Sequence, residues 1–300
     1  MQIAQILNLS IQQKISDYCS IRHIDELATL VIDHPIGFAA ITLQGAHLLT
    51  WQPQNQNHPI IWLSPKSAFK KNAPIRGGVP ICWPWFCDKY KPTPYHGFAR
   101  ISTWQLANYQ EDKNDITITF SLKDNQETRS IWPYSFDINV KFYFTDTSCD
   151  IELESYGEFE NTAALHSYFN VGDITKIDIN GTGKHYDNTV EGGCGTLEQF
   201  PLLITHEIGH IFNQPESTTQ LCDHQLKRIV HVTHQHNSDV VIWNPWVNRT
   251  KLIEDLPDDA YKTMVCIETA CVNRLIRSSP NQSGKLGVKI EIEKLGNNLE

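Results

Sequence analysis

The chain has 300 residues, of which 40% are hydrophobic and 20% are charged, which is the composition of a globular protein with a large core. Its formal net charge of −9 argues against nucleic acid or an anionic membrane as its main partner. An anionic small molecule remains a possible ligand if a few arginines concentrate positive charge in one pocket.

The cysteines and the N-terminus predict the compartment. The eight cysteines include no C-x-x-C pair, so they are typical of reduced thiols rather than of a disulfide framework. The first residues lack the basic and apolar regions of a secretory signal. No apolar run approaches the roughly 18 residues that cross a bilayer. We therefore expect a soluble cytoplasmic protein with no membrane partner, and we take a monomer as the expected state.

Apolar and polar residues alternate along most of the chain, which predicts half-buried antiparallel strands. In chain order, a short helix is predicted over 3–17, strands over 27–32, 39–51, 116–122, 136–144, 149–155, 163–171, 228–234 and 239–243, one helical turn over 257–262, and strands over 263–269 and 288–292. So many strands with so little helix predict an all-β fold built as a large antiparallel sandwich. We expect a single domain over residues 1–300, with 1–20 as a helical extension.

Residues 206–210 read HEIGH and match the zinc-protease motif H-E-x-x-H. In that motif His206 and His210 would need to share one face of a helix. The segment lies between two prolines, within 201–215, and contains Gly209 and several β-branched residues, so a long helix is not expected. The third histidine of the extended motif is also missing. We therefore expect no metal site here.

A second group of histidines occurs in the segment HVTHQH, at His231, His234 and His236. In a strand, His234 and His236 would share one face while His231 would point the other way. We interpret the three as solvent-exposed side chains rather than as metal ligands.

The segment APIRGGVPICWPWF (73–86) combines an arginine with two glycines. At Gly77 and Gly78 the backbone can approach a ligand closely or adopt positive φ. The planar fork of Arg76 suits a phosphate or a carboxylate, and the tryptophans suit the C–H face of a sugar. The same pattern fits a structural turn with a surface arginine and core aromatics equally well.

The segment YHGFARISTW (95–104) adds His96 and Arg100 close to another glycine. Alone it is a weak motif. Together with Arg76, however, Arg100 could form the local positive site that a net-negative protein needs for an anionic substrate.

Two further residues have the chemistry of acid–base catalysis. His166 lies in the strand-like segment ALHSYFNVGD, and Glu268 follows the apolar run Met264–Ile267. Partial burial of Glu268 would raise its pKa toward the range of a general base. Each residue alone also fits a structural role, His166 in the core and Glu268 at a solvent-facing strand end.

These motifs together resemble the glucose-6-phosphate 1-epimerase family, also called hexose-6-phosphate mutarotases. The segments IRGGVPICWPWF, HGFAR, ALHSYFNVGD and VVIWNPW…DDAYKTMVCIETA occur in the family's order, and the match extends from about residue 35 to the C-terminus. The resemblance implies the β-supersandwich of the galactose-mutarotase-like superfamily and an isomerase that interconverts the anomers of hexose 6-phosphates.

The resemblance also implies roles for individual residues. His166 matches the family's general acid and Glu268 its general base. Arg76 and Arg100 match the positions that hold the phosphate and neighbouring oxygens, and His96 lies beside them as a candidate substrate contact. No metal or organic cofactor is implied, and the expected partner is a small-molecule phosphosugar.

The chain departs from the family pattern at two places. Tyr95 precedes HGFAR where relatives usually have Gln or a small residue, so Tyr95 is a candidate substrate contact. The family commonly has a sugar-contacting Asp where this chain has Gly209. Glu207 is the candidate substitute.

Two other hypotheses remain open at the sequence level. A phosphosugar-binding protein that kept Arg76 and Arg100 but lost efficient catalysis would explain Gly209. A zinc hydrolase would use His206 and His210. The absence of an expected long helix around these two histidines argues against it.

Overall fold

The structure is a computed structural model that describes residues 2–87 and 94–296; the outermost residues of the predicted 1–300 domain lie outside this range. The strands are β1 Ile11–Lys14, β2 Cys19–Ile24, β3 Leu27–His34, β4 Gly37–Thr42, β5 His47–Pro53, β6 Ile81–Cys82, β7 Gln105–Glu111, β8 Ile116–Lys123, β9 Asp137–Phe144, β10 Ser148–Tyr156, β11 Phe159–Leu165, β12 Tyr168–Asn170, β13 Ile177–Asn180, β14 His185–Asn188, β15 Cys194–Thr196, β16 Ile208–Phe212, β17 Thr218–Asp223, β18 Arg228–Gln235, β19 Asp239–Asn244, β20 Met264–Ser278 and β21 Gly284–Lys294. The helices are α1 Ile3–Leu7, α2 Gln126–Ile131 and α3 Trp246–Thr250, with 3₁₀ turns at Ala99–Ile101, Ile174–Lys176 and Ala260–Lys262. None of the described helices is long and apolar enough to span a membrane.

The strands form three sheets. The first runs β1-β2-β3-β4-β5, and the second runs β13-β17-β18-β21-β10-β9-β8-β7. The third runs β15-β14-β16-β19-β20-β11-β6, and β12 also pairs with β20. The neighbouring strands are antiparallel, as in β8–β9, β18–β21 and β19–β20. The predicted all-β architecture with few short helices is confirmed.

The main core contains residues from all three sheets, and strand alternation decides which residues enter it. On β8, Ile118 and Phe120 are fully buried in this core. On β20, Val265 and Ile267 join the same cluster, so Cys266 and Glu268 point to the opposite face of the third sheet. That opposite face forms the floor of the candidate site.

Three predicted elements are wrong in extent. The run 163–171 is two strands, β11 and β12, with a break at 166–167. The helix predicted over 3–17 ends at Leu7, and residues 11–14 instead form β1, because the edge of β2 offers them backbone hydrogen bonds. The run 39–51 is two strands, because Gly45 and Ala46 adopt positive φ and turn the chain into the hairpin β4–β5. The turn predicted over 257–262 is confirmed in part, by the 3₁₀ turn that begins at Ala260.

The expectation that all three histidines of HVTHQH are exposed is wrong for His234. Its side chain is buried between two hydroxyls, with Nε2 2.9 Å from Thr219 Oγ1 and Nδ1 2.7 Å from Thr269 Oγ1. His236 is exposed, whereas partly buried His231 contacts a carboxylate on β21. The error arises because the partners of His234 lie on strands that only the folded sheets bring together.

Candidate active site

His166 lies in a break between β11 and β12, and the glycine-rich turn holds it there. The backbone N–H of His166 donates to Pro80 O at 3.1 Å, and that of Tyr168 donates to Gly78 O at 3.0 Å. The two carbonyls belong to the segment that begins with Arg76. The turn therefore positions both the histidine and the arginine that the sequence predicts to act together.

Gly78 is required in this turn for two reasons. Its φ is +71°, in the left-handed region that favours glycine. A Cβ there would lie 2.4 Å from both His47 Nε2 and Leu48 O. Burial lowers the pKa of His47 to about 4, so its ring is neutral, and Nε2 is 2.8 Å from Gly77 O, which fixes the ring against the turn.

His166 and Glu268 face each other across a short gap. His166 Nε2 lies 3.3 Å from Glu268 Oε1, and the two side chains are 11% and 1% exposed. Within the described residues, His166 Nδ1 and Glu268 Oε2 are buried without a hydrogen-bond partner. Buried polar atoms are rarely left unpaired, so these atoms are candidates to meet a ligand.

Burial also determines how this pair holds its protons. It lowers the pKa of His166 to about 3, and the positive charges of Arg76 and Arg100 add to the effect. Burial raises the pKa of Glu268 well above its usual value. Because water is excluded, both charged forms are disfavoured, so burial favours the neutral form of each residue.

His96 and Tyr95 lie beside the pair. The backbone N–H of Cys87 donates to His96 Nδ1 at 3.0 Å, so in the neutral ring the proton is on Nε2. Burial, followed by repulsion from His166 and Arg100, holds the pKa of His96 well below its usual value. The His96 ring is perpendicular to that of His166 at 5.6 Å, and the half-exposed Tyr95 ring lies 4.1 Å from it.

The two arginines occupy different positions. Arg76 Nε donates to Asp255 Oδ1 at 2.9 Å, and its Nη1 donates to Tyr168 Oη at 3.2 Å. Arg100 Nη2 donates to Tyr95 O at 2.6 Å. Both arginines line a small recess of about 80 Å³ together with His166, but of the two only Arg76 also lines the larger cavity next to it.

That larger cavity has a volume of about 530 Å³ and contains every predicted site residue except Arg100. Its walls include aromatic side chains suited to a sugar ring, since Tyr168 stacks on His166 at 4.8 Å and Trp243 closes one side. The lining residues are Arg76, Phe86, Cys87, Tyr95, His96, His166, Tyr168, Thr189, Val190, Glu207, Gly209, Ile211, Val241, Trp243, Arg249, Ile253 and Glu268.

Several of these lining residues were not predicted. Trp243 ends the alternating run 239–243, whose pattern marks a strand but not a ligand contact. Thr189 and Arg249 lie in a loop and a short helix, and no motif in the sequence distinguishes them. Thr189 follows β14 and Arg249 follows β19, and both strands pair with β16, which brings their flanking segments to the cavity.

The HEIGH segment forms one wall of the cavity but not a zinc motif. His210 lies on β16, buried and stacked on Tyr186 at 3.7 Å, whereas His206 is exposed before the strand. Glu207 and Gly209 line the cavity. A Cβ at Gly209 would lie 2.4 Å from Thr189 Oγ1, so the Thr189 side chain occupies the space that a side chain at 209 would need.

One group of potential metal ligands occurs in the described part of the chain. Ligand atoms of His166, Cys266 and Glu268 lie within 4.8 Å of one another, and all three residue types bind zinc. Burial, however, holds the pKa of the Cys266 thiol well above its usual value, so the thiolate that a metal requires is disfavoured. The positive charges of Arg76 and Arg100 act on the same group, so the site favours an anion over a cation.

Comparisons with known proteins agree with this geometry. A family model described as aldose 1-epimerase matches residues 29–290. A protein of Escherichia coli K12, provisionally named glucose-6-phosphate 1-epimerase, is 39% identical over 97% of this chain and 99% of its own. A crystal structure from Salmonella typhimurium, provisionally described as a mutarotase, has a TM-score of 0.94 at 37% identity and covers 97% of this chain and 99% of its own.

The fold is shared more widely than the sequence. A galactose mutarotase related enzyme from Lactobacillus acidophilus is 14% identical and has a TM-score of 0.69 over 91% of this chain and 99% of its own. The predicted galactose-mutarotase-like sandwich is thereby confirmed, as is the resemblance drawn from the four motifs. The chain is an isomerase of the mutarotase type and belongs to the aldose 1-epimerase family.

Proposed function

We propose that this enzyme, acting as a cytoplasmic monomer of one domain, interconverts the α and β anomers of hexose 6-phosphates, with glucose 6-phosphate as the first candidate. The observation that supports it most directly is the buried His166–Glu268 pair, 3.3 Å apart in a cavity that Arg76 also lines. The names of the relatives from Escherichia coli and Salmonella typhimurium agree with a phosphorylated hexose and with mutarotation.

The mechanism requires one proton removed and one proton delivered. Glu268 takes the proton from the anomeric hydroxyl while His166 gives one to the ring oxygen, and the bond from C1 to the ring oxygen breaks. Rotation about C1–C2 presents the other carbonyl face, and closure reverses both transfers. The single proton held by the pair matches this count.

The phosphate helps to place that proton. In the resting pair it resides on Glu268, because burial and the two arginines disfavour a charged His166. A phosphate bound beside Arg76 and Arg100 offsets their positive charge. The proton then passes across the 3.3 Å gap to His166, and Glu268 becomes the base.

The required acceleration is modest, since mutarotation proceeds unaided in water. General acid–base assistance contributes about 10²–10⁴-fold. Removal of the base should therefore reduce kcat/KM for glucose 6-phosphate by at least about 10²-fold in the Glu268→Gln variant, measured by exchange NMR with the spontaneous rate subtracted.

A matched variant controls for loss of a carboxylate in general. Glu293 is exposed on β21, away from the cavity, so Glu293→Gln should retain the wild-type rate. An undiminished rate in folded Glu268→Gln would overturn the assignment of the base.

A phosphosugar-binding protein with weak catalysis is the second candidate. It is favoured by Gly209, where the cavity wall has no side chain and Thr189 fills the space. It predicts that glucose 6-phosphate binds to the wild-type protein with little or no acceleration of anomer exchange, and calorimetry alongside exchange NMR distinguishes the two candidates.

A further inference from the structure

The cavity contains a third arginine, on a different element from the other two. Arg249 lies in the last turn of α3, is exposed, and lines the cavity that holds His166 and Glu268. Within residues 2–87 and 94–296, its guanidinium makes no hydrogen bond or ion pair. Its five N–H donors therefore face the cavity mouth without a protein partner among the described residues.

The other two arginines have fewer donors to offer. Arg76 uses Nε for Asp255 and Nη1 for Tyr168. Arg100 uses Nη2 for the carbonyl of Tyr95 and lines only the small recess. Of the five N–H donors on each guanidinium, Arg76 keeps three and Arg100 keeps four, whereas Arg249 keeps all five among the described residues.

Tight turns connect Arg249 to the segment that contacts Arg76. Leu252 N–H donates to Arg249 O, and Leu256 N–H donates to Ile253 O. Ile253 lines the cavity, and Asp255, two residues further along, forms an ion pair with Arg76. The segment that follows α3 thus joins the third arginine directly to the partner of the first.

We propose that Arg249 binds the phosphate of the substrate from the cavity mouth, as a third cation beside Arg76 and Arg100. This inference rests on the proposed hexose 6-phosphate activity and extends it to the residue that distinguishes phosphorylated from free hexose. Glu207, the other charged residue of the cavity rim, makes no ion pair with Arg249 in the described structure, so the guanidinium remains available.

The test compares Arg249→Gln with wild type on two substrates. KM for glucose 6-phosphate should rise about tenfold, the effect of one charge-assisted contact, with kcat changed less than about twofold. The rate on unphosphorylated glucose should stay the same. Arg249→Lys should recover most of the affinity, and the Ki of inorganic phosphate as a competitive inhibitor should rise in parallel with KM.

Lys251→Gln is the matched control, because Lys251 is exposed two residues further along and does not line the cavity. An unchanged KM and an unchanged phosphate Ki in Arg249→Gln would overturn the inference. If wild type accelerates no hexose 6-phosphate at all, the proposed function fails instead, and the two failures are thus distinguishable.

Discussion

His166 and Glu268 form a pair whose behaviour depends on one shared proton. The Nε2–Oε1 distance of 3.3 Å and their near-complete burial link their titrations. A fully exposed histidine and a fully exposed glutamate would titrate with pKa values of ~6.5 and ~4.3, respectively. In this cavity the one-proton state instead extends over a wide pH range, because burial lowers one pKa and raises the other.

This pairing predicts an unusual pH profile. The acid limb of kcat/KM, which reports groups of the free enzyme, should follow the pKa of His166 at about 3 rather than the ordinary ~6.5. Activity should therefore persist from pH 7 down to about 4.5 while the protein stays folded. Glucose 6-sulfate is a suitable substrate for the measurement, because its charge stays constant whereas a phosphate ester ionises near ~6.

Far-UV circular dichroism at each pH tests whether the protein is still folded. An acid limb near pH 6.5 in folded enzyme would show that His166 is solvated and would contradict the neutral pair. The His166→Gln variant should lose most of its activity at every pH, and it controls for residual catalysis by Glu268 alone.

At the scale of elements, the site depends on the turn that contains Gly77 and Gly78. Its carbonyls accept from the backbone of His166 and Tyr168, and its first residue is Arg76. One turn thus links the acid, an aromatic wall and a phosphate-binding candidate. Any change in this turn should alter chemistry and stability together.

Gly78→Ala should be costly for this reason. The substitution combines positive φ with a Cβ 2.4 Å from His47 Nε2 and Leu48 O, and we expect a loss of about 2–4 kcal/mol in the free energy of unfolding. Displacement of His166 should also lower kcat/KM at least about tenfold. Urea denaturation and exchange NMR measure the two effects.

Gly192→Ala separates the backbone cost of positive φ from the steric cost of a close Cβ contact. Gly192 has φ +80°, but a Cβ at this position would have no described atom within 4 Å, so only the backbone penalty of about 1 kcal/mol applies. Its kcat/KM should stay at the wild-type value. Equal losses in the two variants would show that the close packing around Gly78 is unimportant.

Local patterns predicted the strands better than the turns and the cavity. Period-two alternation over 116–122 and 136–144 identifies β8 and β9, because the face that a residue occupies is a local property of a strand. The hairpin within 39–51 and the burial of His234 depend on partners distant in sequence. Thr189 reaches the cavity only through strand pairing, so no local pattern could have predicted its position.

At the scale of the whole molecule, buried histidines should make stability depend on pH. Burial lowers the pKa of His47 and of His234 to about 4 each, and that of His166 to about 3. Each stays neutral when folded but takes up a proton near ~6.5 when unfolded. Their stabilisation is therefore complete above pH 6.5 and is lost as pH falls toward the folded pKa. Glu268, with its raised pKa, acts in the opposite direction but is a single group.

The expected result is a free energy of unfolding that falls with pH, with a slope that rises to about 1.4 kcal/mol per pH unit for each such histidine as pH goes from 6.5 to 5. Ordinary carboxylates, with pKa near ~4, contribute little in this window. Urea denaturation at several pH values measures the slope, with a constant m-value as the check for two-state unfolding.

His234→Gln should remove the contribution of one proton, about 1.4 kcal/mol per pH unit, from that slope, whatever its effect on stability at pH 7. His234 is suited to this test because it lies outside the cavity, between Thr219 and Thr269. His58→Gln, at an exposed position, is the matched control and should leave the slope unchanged. A slope that His234→Gln does not alter would mean that this histidine is protonated in the folded protein, in conflict with the lowering of its pKa by burial.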